Sequence, residues 1–259
     1  MSKIQRRLCL IQLFSLTLIS CSSMANVEES PKKDRQSDRI PEPKSNQGES
    51  KILADKLPLK AIEVPSKLGA KPTGLIVGLH GWGSNAQDLA SIAPSFNLPD
   101  YQMFFPDAPI DHPRVPGGKM WYDLDRPDPQ GLAKSQQLLK EFLSQLPNLT
   151  GVPLDRVVLL GFSQGGAMTL DVGLSLPLAS LIALSGYLHP IDRAPSNSIA
   201  PILIVHGRQD RVVPLNMAQD AKTRLTALGA KVTYAEFDMG HEVSQLAIER
   251  VREFIILKH

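Results

Sequence analysis

The chain has 259 residues, enough for one large α/β domain or two small ones. Its 42% hydrophobic and 21% charged residues are typical of a soluble globular protein. The net charge of +2 gives no indication of binding to nucleic acid or to anionic surfaces. The small basic excess comes from Lys3, Arg6 and Arg7 near the N-terminus, so the rest of the chain is almost neutral.

The N-terminus has the pattern of an export signal. The three basic residues precede an apolar run from Leu8 to Ile19, which is too short for a transmembrane helix of about 20 apolar residues. The run ends in Leu-Ile-Ser-Cys21 and resembles the bacterial lipobox, in which the cysteine is lipidated and becomes the new N-terminus. We predict a lipoprotein-type signal peptide over residues 1–20 and a lipidated Cys21. An ordinary cleaved signal peptide and an uncleaved anchor are the alternatives.

Residues 21–50 are rich in Ser, Pro and charged side chains and contain almost no large apolar residue. Such a segment cannot bury enough surface to offset the entropy lost on ordering. We therefore predict a flexible tether over residues 21–50, followed by a folded domain over residues 51–259. Lipidation of Cys21 would place this domain outside the cytoplasm, at a bacterial membrane.

Cysteine and histidine patterns argue against a metal site. Both cysteines, Cys9 and Cys21, lie in the N-terminal segment, so the remainder can form neither a disulfide framework nor a thiolate metal site. None of the six histidines has the HxxxH or HExxH spacing of zinc ligands. We expect no bound metal.

Short apolar runs alternate with amphipathic stretches from about residue 51 onward. Apolar runs without polar alternation are typical of strands buried on both faces of a parallel sheet. The predicted strands, in chain order, are Leu59–Val64, Gly74–Leu79, Tyr101–Phe105, Arg156–Phe162, Leu181–Leu184, Pro201–Val205 and Lys231–Phe237.

Helical patterns lie between these strands. Their apolar residues recur at helical spacing, and the predicted helices are Gly131–Leu146, Gln164–Leu176, Asn216–Leu228 and His241–Leu257. The alternation predicts one α/β domain with a mostly parallel, doubly wound sheet. The stretch Asp107–Gln130 is rich in Pro and Gly and is predicted to be irregular. Long irregular segments of compact domains often form a lid or a pocket wall.

The pentapeptide Gly161-Phe-Ser163-Gln-Gly165 fits the G-x-S-x-G nucleophile elbow. In this turn the serine has a strained backbone, and small neighbours let the strand and the helix approach closely. The N-terminus of the following helix lies near the oxyanion that forms during acyl transfer. Since an apolar strand precedes the motif and a helical pattern follows it, we predict that Ser163 is a nucleophile rather than part of a chance Gly/Ser turn.

A general base is expected late in the chain, because hydrolases with this elbow place serine, acid and histidine in that order. His259 is the last residue, and His189 lies in a loop where a surface position is predicted. His206 ends a strand and is predicted to pack or hydrogen-bond locally. His241 follows the last strand and opens the last predicted helix, so we assign it as the base.

The acid of a triad is expected after the preceding strand. Asp210 lies on the loop after the strand Pro201–Val205, where it would hold the tautomer of His241 and stabilise the imidazolium. Asp238 is the rival, but it is only three residues from His241 and is predicted to be a solvated loop residue. Asp220 is predicted on the solvated face of a helix.

An oxyanion hole needs a backbone N–H from the loop after the second predicted strand and another from the residue after the nucleophile. The first loop is His80-Gly-Trp-Gly83. The candidate donors are the amides of Trp82 and Gln164. His80 is predicted to anchor this loop rather than to act as a second base.

Together these motifs resemble the phospholipase/carboxylesterase family, which includes the acyl-protein thioesterases. The resemblance rests on the elbow with its following Gly-Ala-Met, on His-Gly-x-Gly, on His-Gly-x-x-Asp-x-x-Val-Pro214 and on the late Gly-His241. The segments Phe-Pro-Asp-Ala-Pro109 and Trp-Tyr-Asp-Leu124 are also similar to that family. The resemblance covers about Leu57 to Leu257.

The resemblance implies the α/β-hydrolase fold, no cofactor, and a triad and oxyanion donors at the residues assigned above. It predicts a serine hydrolase that cleaves small-molecule carboxylic esters or thioesters through an acyl-enzyme on Ser163. A serine peptidase of the same fold and a non-catalytic, membrane-tethered binding module are the alternatives, because a fold does not fix the reaction. Two departures are the lipoprotein signal, since family members are commonly cytosolic, and the Pro-rich stretch Arg114–Gln130.

Overall fold

A computed structural model describes residues 57–68, 72–191 and 199–258. The predicted signal peptide, Cys21 and the predicted tether lie outside the described residues. Within the described ranges, no helix combines the length and the apolar character that crossing a membrane requires.

A seven-stranded, mostly parallel sheet forms the centre of the fold. In chain order the strands are β1 (Ala61–Val64), β2 (Gly74–Leu79), β3 (Tyr101–Pro106), β4 (Ile110–Asp111), β5 (Lys119–Met120), β6 (Val157–Phe162), β7 (Ser180–Leu184), β8 (Ile202–Gly207) and β9 (Val232–Phe237). The short strands β4 and β5 pair with each other outside the main sheet.

The spatial order of the main sheet is β1-β3-β2-β6-β7-β8-β9. Only β1 runs antiparallel to its neighbour in this sheet. After β2 the chain adds β3 on one side and later returns to add β6 on the other, so β2 and β6 flank the point where the strand order reverses. Such switch points are where open α/β sheets place their ligand sites.

Helices cover both faces of the sheet. They are α1 (Ala86–Ala90), α2 (Pro129–Thr150), α3 (Gln164–Gly173), α4 (Leu215–Ala227) and α5 (Gln245–Lys258). The side chains of α2, α3 and α4 share one apolar core with alternate residues of β2, such as Leu75 and Val77. Those of α1 and α5 share the opposite core with Ile76. Because β2, β7 and β8 are buried at every position, their sequences are predominantly apolar, as predicted.

The fold confirms the predicted doubly wound α/β sheet, with corrections at the helix ends. The last helix begins at Gln245, so His241 lies on the loop before it rather than at its start. The helix α2 is longer than predicted at both ends, since Asp128 caps its start and Gly151, with φ of 71°, ends it. Conversely, α3 ends at Gly173, three residues before the predicted end.

The stretch Asp107–Gln130 is more ordered than predicted. It contains the β4–β5 pair, in which Ile110 faces Met120, and its Trp121 and Tyr122 side chains are buried in the core. These two strands could not be recognised in the sequence, because each has only two residues and their pairing spans a Pro/Gly-rich turn.

We expect the Asp128 cap to contribute measurably to stability. Its carboxylate accepts hydrogen bonds from the backbone N–H groups of Gly131 at 2.9 Å and Asp123 at 3.1 Å, and these bonds lower the pKa of Asp128. Asp128→Ala should therefore reduce the free energy of unfolding by about 1 kcal/mol at neutral pH, measured by urea denaturation.

The pH dependence of unfolding and a second variant test whether the ionised Asp128 carboxylate is the source of this stability. Because the pKa is lowered in the folded state, the cap stabilises fully above the ordinary carboxyl pKa of about 3.9. That contribution is lost as the pH falls through the lower, folded-state pKa. Asp128→Asn retains one acceptor and should lose less stability than Asp128→Ala. Equal stability of Asp128→Ala and the unmodified protein at neutral pH would contradict the assignment.

Candidate active site

Ser163 occupies the sharp turn between β6 and α3. Its φ of 55° and ψ of −117° lie in a region that non-glycine residues adopt only where surrounding structure enforces it. The enforcing contacts are its own N–H, which donates to Leu184 O at 2.8 Å, and its carbonyl, which accepts from the Ala167 N–H at 3.1 Å. Ser163 is only partly buried in this strained turn, in agreement with the elbow motif.

The two glycines of the motif are required by backbone contacts. A Cβ atom on Gly161 would lie 2.1 Å from Gly165 O, and one on Gly165 would lie 2.2 Å from Leu79 O. Both distances are impossible for a real carbon atom. The backbones of β2, β6 and α3 therefore meet at this turn in a way that only glycine permits.

The structure brings the three predicted triad residues together. Asp210 lies on the loop after β8 and His241 on the loop after β9. His241 Nε2 is 2.9 Å from Ser163 Oγ, and His241 Nδ1 is 2.7 Å from Asp210 Oδ2. The loops can approach because Gly207, at the end of β8, lacks a side chain that would overlap the Met239 carbonyl.

Asp210 is held as a charged acceptor. Burial alone would raise its pKa, but the hydrogen bond and charge of His241 and the amides of Val212 and Val213 outweigh burial and lower the pKa. The two amides donate to Oδ1 at 2.9 and 2.8 Å, which leaves Oδ2 for His241. An ionised carboxylate at Nδ1 favours the tautomer in which Nε2 is free to accept the Ser163 proton.

Three other residues considered for the triad have different hydrogen-bond or ion-pair partners. His206 is buried and its Nε2–H donates to Val213 O at 2.8 Å, which confirms local hydrogen bonding. Asp238 is exposed and pairs with Arg208 at 2.7 Å. Asp220 is exposed on α4 and pairs with a neighbouring arginine. Both acids are therefore solvated, as predicted.

The surface position predicted for His189 is wrong. Its side chain is largely buried, with Nδ1 3.0 Å from Asp171 Oδ2 and Nε2 2.8 Å from the Tyr122 hydroxyl. Tyr122 also hydrogen-bonds the Tyr187 hydroxyl. The hydrogen-bond partners of His189 could not be read from the sequence around it, because Asp171 and Tyr122 are 18 and 67 positions away.

The two predicted oxyanion donors belong to the segments that border Ser163. Trp82 lies on the loop after β2, where a Cβ atom on the preceding Gly81 would be only 3.3 Å from the Ser163 Cβ. Its indole ring is contacted edge-on by His112, with 4.2 Å between ring centroids, while the Arg114 guanidinium lies 5.8 Å from its centroid. Gln164 is the first residue of α3 and is fully buried.

His80 anchors its loop, as predicted. The Ala108 N–H donates to His80 Nε2 at 3.0 Å, so the ring hydrogen is on Nδ1, which donates to Gly81 O at 2.8 Å. Burial lowers the pKa of His80 and favours this neutral form. Among residues 57–68, 72–191 and 199–258, no group of three or more His, Cys, Asp or Glu side chains could hold a metal ion.

Trp121, Tyr122 and the Gln164 side chain also belong to this region, which was not predicted from the sequence. The Gln164 carboxamide hydrogen-bonds the backbones of both aromatic residues. Two adjacent aromatic residues in an otherwise polar, Pro-rich segment were the available signal, because such residues need a core to bury them.

Comparison with known proteins identifies relatives across nearly the whole described chain. The phospholipase/carboxylesterase family model matches residues 60–259. Acyl-protein thioesterase 1 of Neurospora crassa is 28% identical over 72% of this chain and 87% of its own length. Acyl-protein thioesterase 1 of Schizosaccharomyces pombe is 33% identical over 55% of this chain and 70% of its own. The crystal structure of esterase PE8 has a TM-score of 0.72 and 31% identity, covering 78% of this chain and 99% of PE8.

The sheet order, the elbow and the structural similarity to esterase PE8 define an α/β-hydrolase. Within that class, the chain belongs to the phospholipase/carboxylesterase family.

Substituting Gly165 tests the close approach at the elbow. Gly165→Ala adds a carbon that overlaps Leu79 O, so it should lower the free energy of unfolding by about 3 kcal/mol, the upper end of overpacking effects. Thermal and urea unfolding measure the change. Gly240→Ala is the matched control, because a Cβ there meets no atom within 4 Å, and its effect should stay within about 0.5 kcal/mol. Equal effects of the two substitutions would refute the steric argument.

Proposed function

We propose that the protein hydrolyses carboxylic esters or thioesters through a covalent acyl-enzyme on Ser163, with His241 as general base and Asp210 as its orienting acid. The observation that carries this proposal is the continuous arrangement of Ser163 Oγ, His241 and Asp210, with contacts of 2.9 and 2.7 Å. Family membership supports the ester or thioester substrate class.

Acylation begins with the Ser163 hydroxyl. His241 Nε2 takes its proton as Oγ attacks the acyl carbonyl, and the Asp210 carboxylate stabilises the imidazolium that results. The tetrahedral oxyanion is proposed to accept hydrogen bonds from the backbone N–H groups of Trp82 and Gln164. The N-terminus of α3 adds a favourable partial charge at the same place.

Collapse of this intermediate expels the alcohol or thiol, which receives the proton from His241. Water then enters, His241 takes one of its protons, and the resulting hydroxide attacks the acyl-enzyme carbonyl. A second tetrahedral intermediate releases the carboxylic acid and returns the proton to Ser163 Oγ. Short to medium acyl chains are the proposed substrates.

A fluorophosphonate probe tests the nucleophile directly. The unmodified protein should be labelled covalently at Ser163, and Ser163→Ala should abolish both labelling and ester turnover. His241→Ala should lower kcat by about 10⁴-fold or more, as loss of a triad member does. Mass spectrometry of the labelled peptide and p-nitrophenyl ester hydrolysis provide the measurements.

A control variant and a second substrate class complete this experiment. Ser175→Ala changes an exposed serine just beyond the end of α3 and should leave labelling and turnover unchanged. Labelling that persists in Ser163→Ala would contradict the proposal. Turnover of aminoacyl amides without turnover of esters would favour a peptidase instead.

The N-terminal pattern supports a proposed location. Cys21 is proposed to carry the lipid that holds the enzyme at a bacterial membrane, on the extracytoplasmic side, with residues 21–50 as a tether. The basis is the sequence pattern alone: a basic start, an apolar run and a cysteine where that run ends.

Lipidation is testable in the full chain expressed in a bacterial host. Mass spectrometry should find a mature N-terminus at Cys21 that carries acyl chains, and the protein should fractionate with membranes. Cys21→Ser should abolish the lipid, whereas Cys9→Ser should not, since Cys9 lies within the apolar run that is removed. A mature chain that begins at another residue would contradict this location.

A further inference from the structure

We propose that the Gln164 side chain and Trp121 are positioning residues that hold the two oxyanion donors in a fixed relation to each other. The inference deepens the proposed function and rests on it, because it concerns how the amides of Trp82 and Gln164 are oriented. The structural basis is a continuous set of hydrogen bonds that links both donor segments through the dipeptide Trp121–Tyr122.

The first link is the Gln164 carboxamide. Its Oε1 accepts from the Trp121 N–H at 3.0 Å, and its Nε2 donates to the Tyr122 carbonyl oxygen at 2.7 Å. The side chain has no exposed surface, so both bonds are shielded from water and costly to break. Rotation of this side chain is therefore blocked, and the start of α3 is fixed to the dipeptide.

The second link runs from Trp121 to the other donor segment. The fully buried indole Nε1–H donates to His80 O at 3.0 Å. The His80 ring then donates through Nδ1 to Gly81 O at 2.8 Å. Since a peptide unit is planar and trans, fixing the Gly81 carbonyl also fixes the direction of the N–H in the same unit, which is that of Trp82.

Trp121 and Tyr122 are themselves held in place by residues of other elements. Ser135 on α2 donates its hydroxyl hydrogen to Trp121 O, and the Tyr122 hydroxyl is bonded to Tyr187 and His189. Asp171, on α3, in turn bonds His189. These contacts hold Trp121–Tyr122 rigidly. The two hydrogen bonds to Gln164 and the one to His80 therefore fix both donor segments relative to the same dipeptide.

A backbone donor alone would place no demand on the side chain at position 164. The Gln164 side chain is fully buried, and both its oxygen and its nitrogen hydrogen-bond the Trp121–Tyr122 backbone. Such complete pairing indicates that the side chain has a role of its own. Because catalytic stabilisation of an oxyanion requires donors fixed before the reaction, loosening this link should affect the transition state more than substrate binding.

Gln164→Met tests the link, since it approximates the volume, removes both hydrogen bonds and keeps the backbone N–H. We expect kcat for a p-nitrophenyl ester to fall by about 10- to 100-fold, less than the loss of an oxyanion donor, while KM changes by less than about threefold. Fluorophosphonate labelling at Ser163 should slow in proportion to kcat.

Gln164→Glu provides a pH readout that a packing role would not produce. The ionised carboxylate cannot donate to Tyr122 O, whereas the protonated acid can donate there and still accept from the Trp121 N–H. Burial raises the pKa of a carboxyl group, so the ratio of variant to unmodified kcat should rise as the pH falls. A ratio that is independent of pH would overturn the inference.

Leu225→Ala, a fully buried position on α4, is the control for general destabilisation and should keep kcat unchanged well below its Tm. If Gln164→Met fails to fold, Trp121→Phe replaces it: this variant removes the indole N–H but keeps an aromatic side chain, and kcat should fall several-fold at constant KM.

The outcomes separate the two proposals. Unchanged kcat in the folded Gln164→Met variant, or in Trp121→Phe where that substitutes for it, overturns the positioning role while the proposed function stands. Absence of both turnover and labelling in the unmodified protein instead defeats the proposed function.

Discussion

The contact on which the site depends is the meeting of three backbones at the Ser163 turn. The end of β6, the start of α3 and the end of β2 approach so closely that a single Cβ at Gly161 or Gly165 would overlap a carbonyl group. Ser163 lies in this turn with a φ of 55°, held there by its hydrogen bonds to Leu184 O and the Ala167 N–H. The close approach also brings Gly81, on the loop after β2, beside the Ser163 side chain, so the same packing positions both segments.

The remaining polar groups are arranged around that turn by the parallel sheet. Because β6, β8 and β9 all run in the same direction, their following loops emerge at one edge and carry Ser163, Asp210 and His241 to it. The Asp210 carboxylate keeps its charge through hydrogen bonds that outweigh its burial. Geometry and charge together determine which nitrogen of His241 faces the serine.

Much of the fold and of the site could be predicted from the sequence. Strands such as β2 and β8 are buried along their whole length, and burial on both faces leaves a nearly continuous apolar run that sequence shows directly. The residues assigned to the triad follow strands in a fixed order, and the structure places the three side chains in contact. The short helix α1 was not predicted, because five residues give too little periodicity to recognise.

The features that sequence did not predict depend on contacts between distant segments. His189 is largely buried because Tyr122 and Asp171, which are distant in sequence, converge on it. The partners of the Gln164 carboxamide are 42 and 43 positions away. Burial of a polar side chain is decided by such distant partners, whereas periodicity reports only on the element that contains the residue.

The hairpin between β4 and β5 has an exposed tip that is nevertheless tied to the rest of the fold, since Arg114 pairs with Asp125 and lies over the Trp82 ring. Residues 113–117 form this tip and are exposed, and Gly117 has a φ of 74°, a conformation that favours glycine. At the base of the hairpin, the Lys119 backbone hydrogen-bonds Gly83 and Ser84 on the loop after β2, and the Gly118 carbonyl accepts from the His112 N–H. Any change in the sequence or length of this tip therefore also changes what packs against Trp82, so the hairpin couples an exposed loop to the segment beside Ser163.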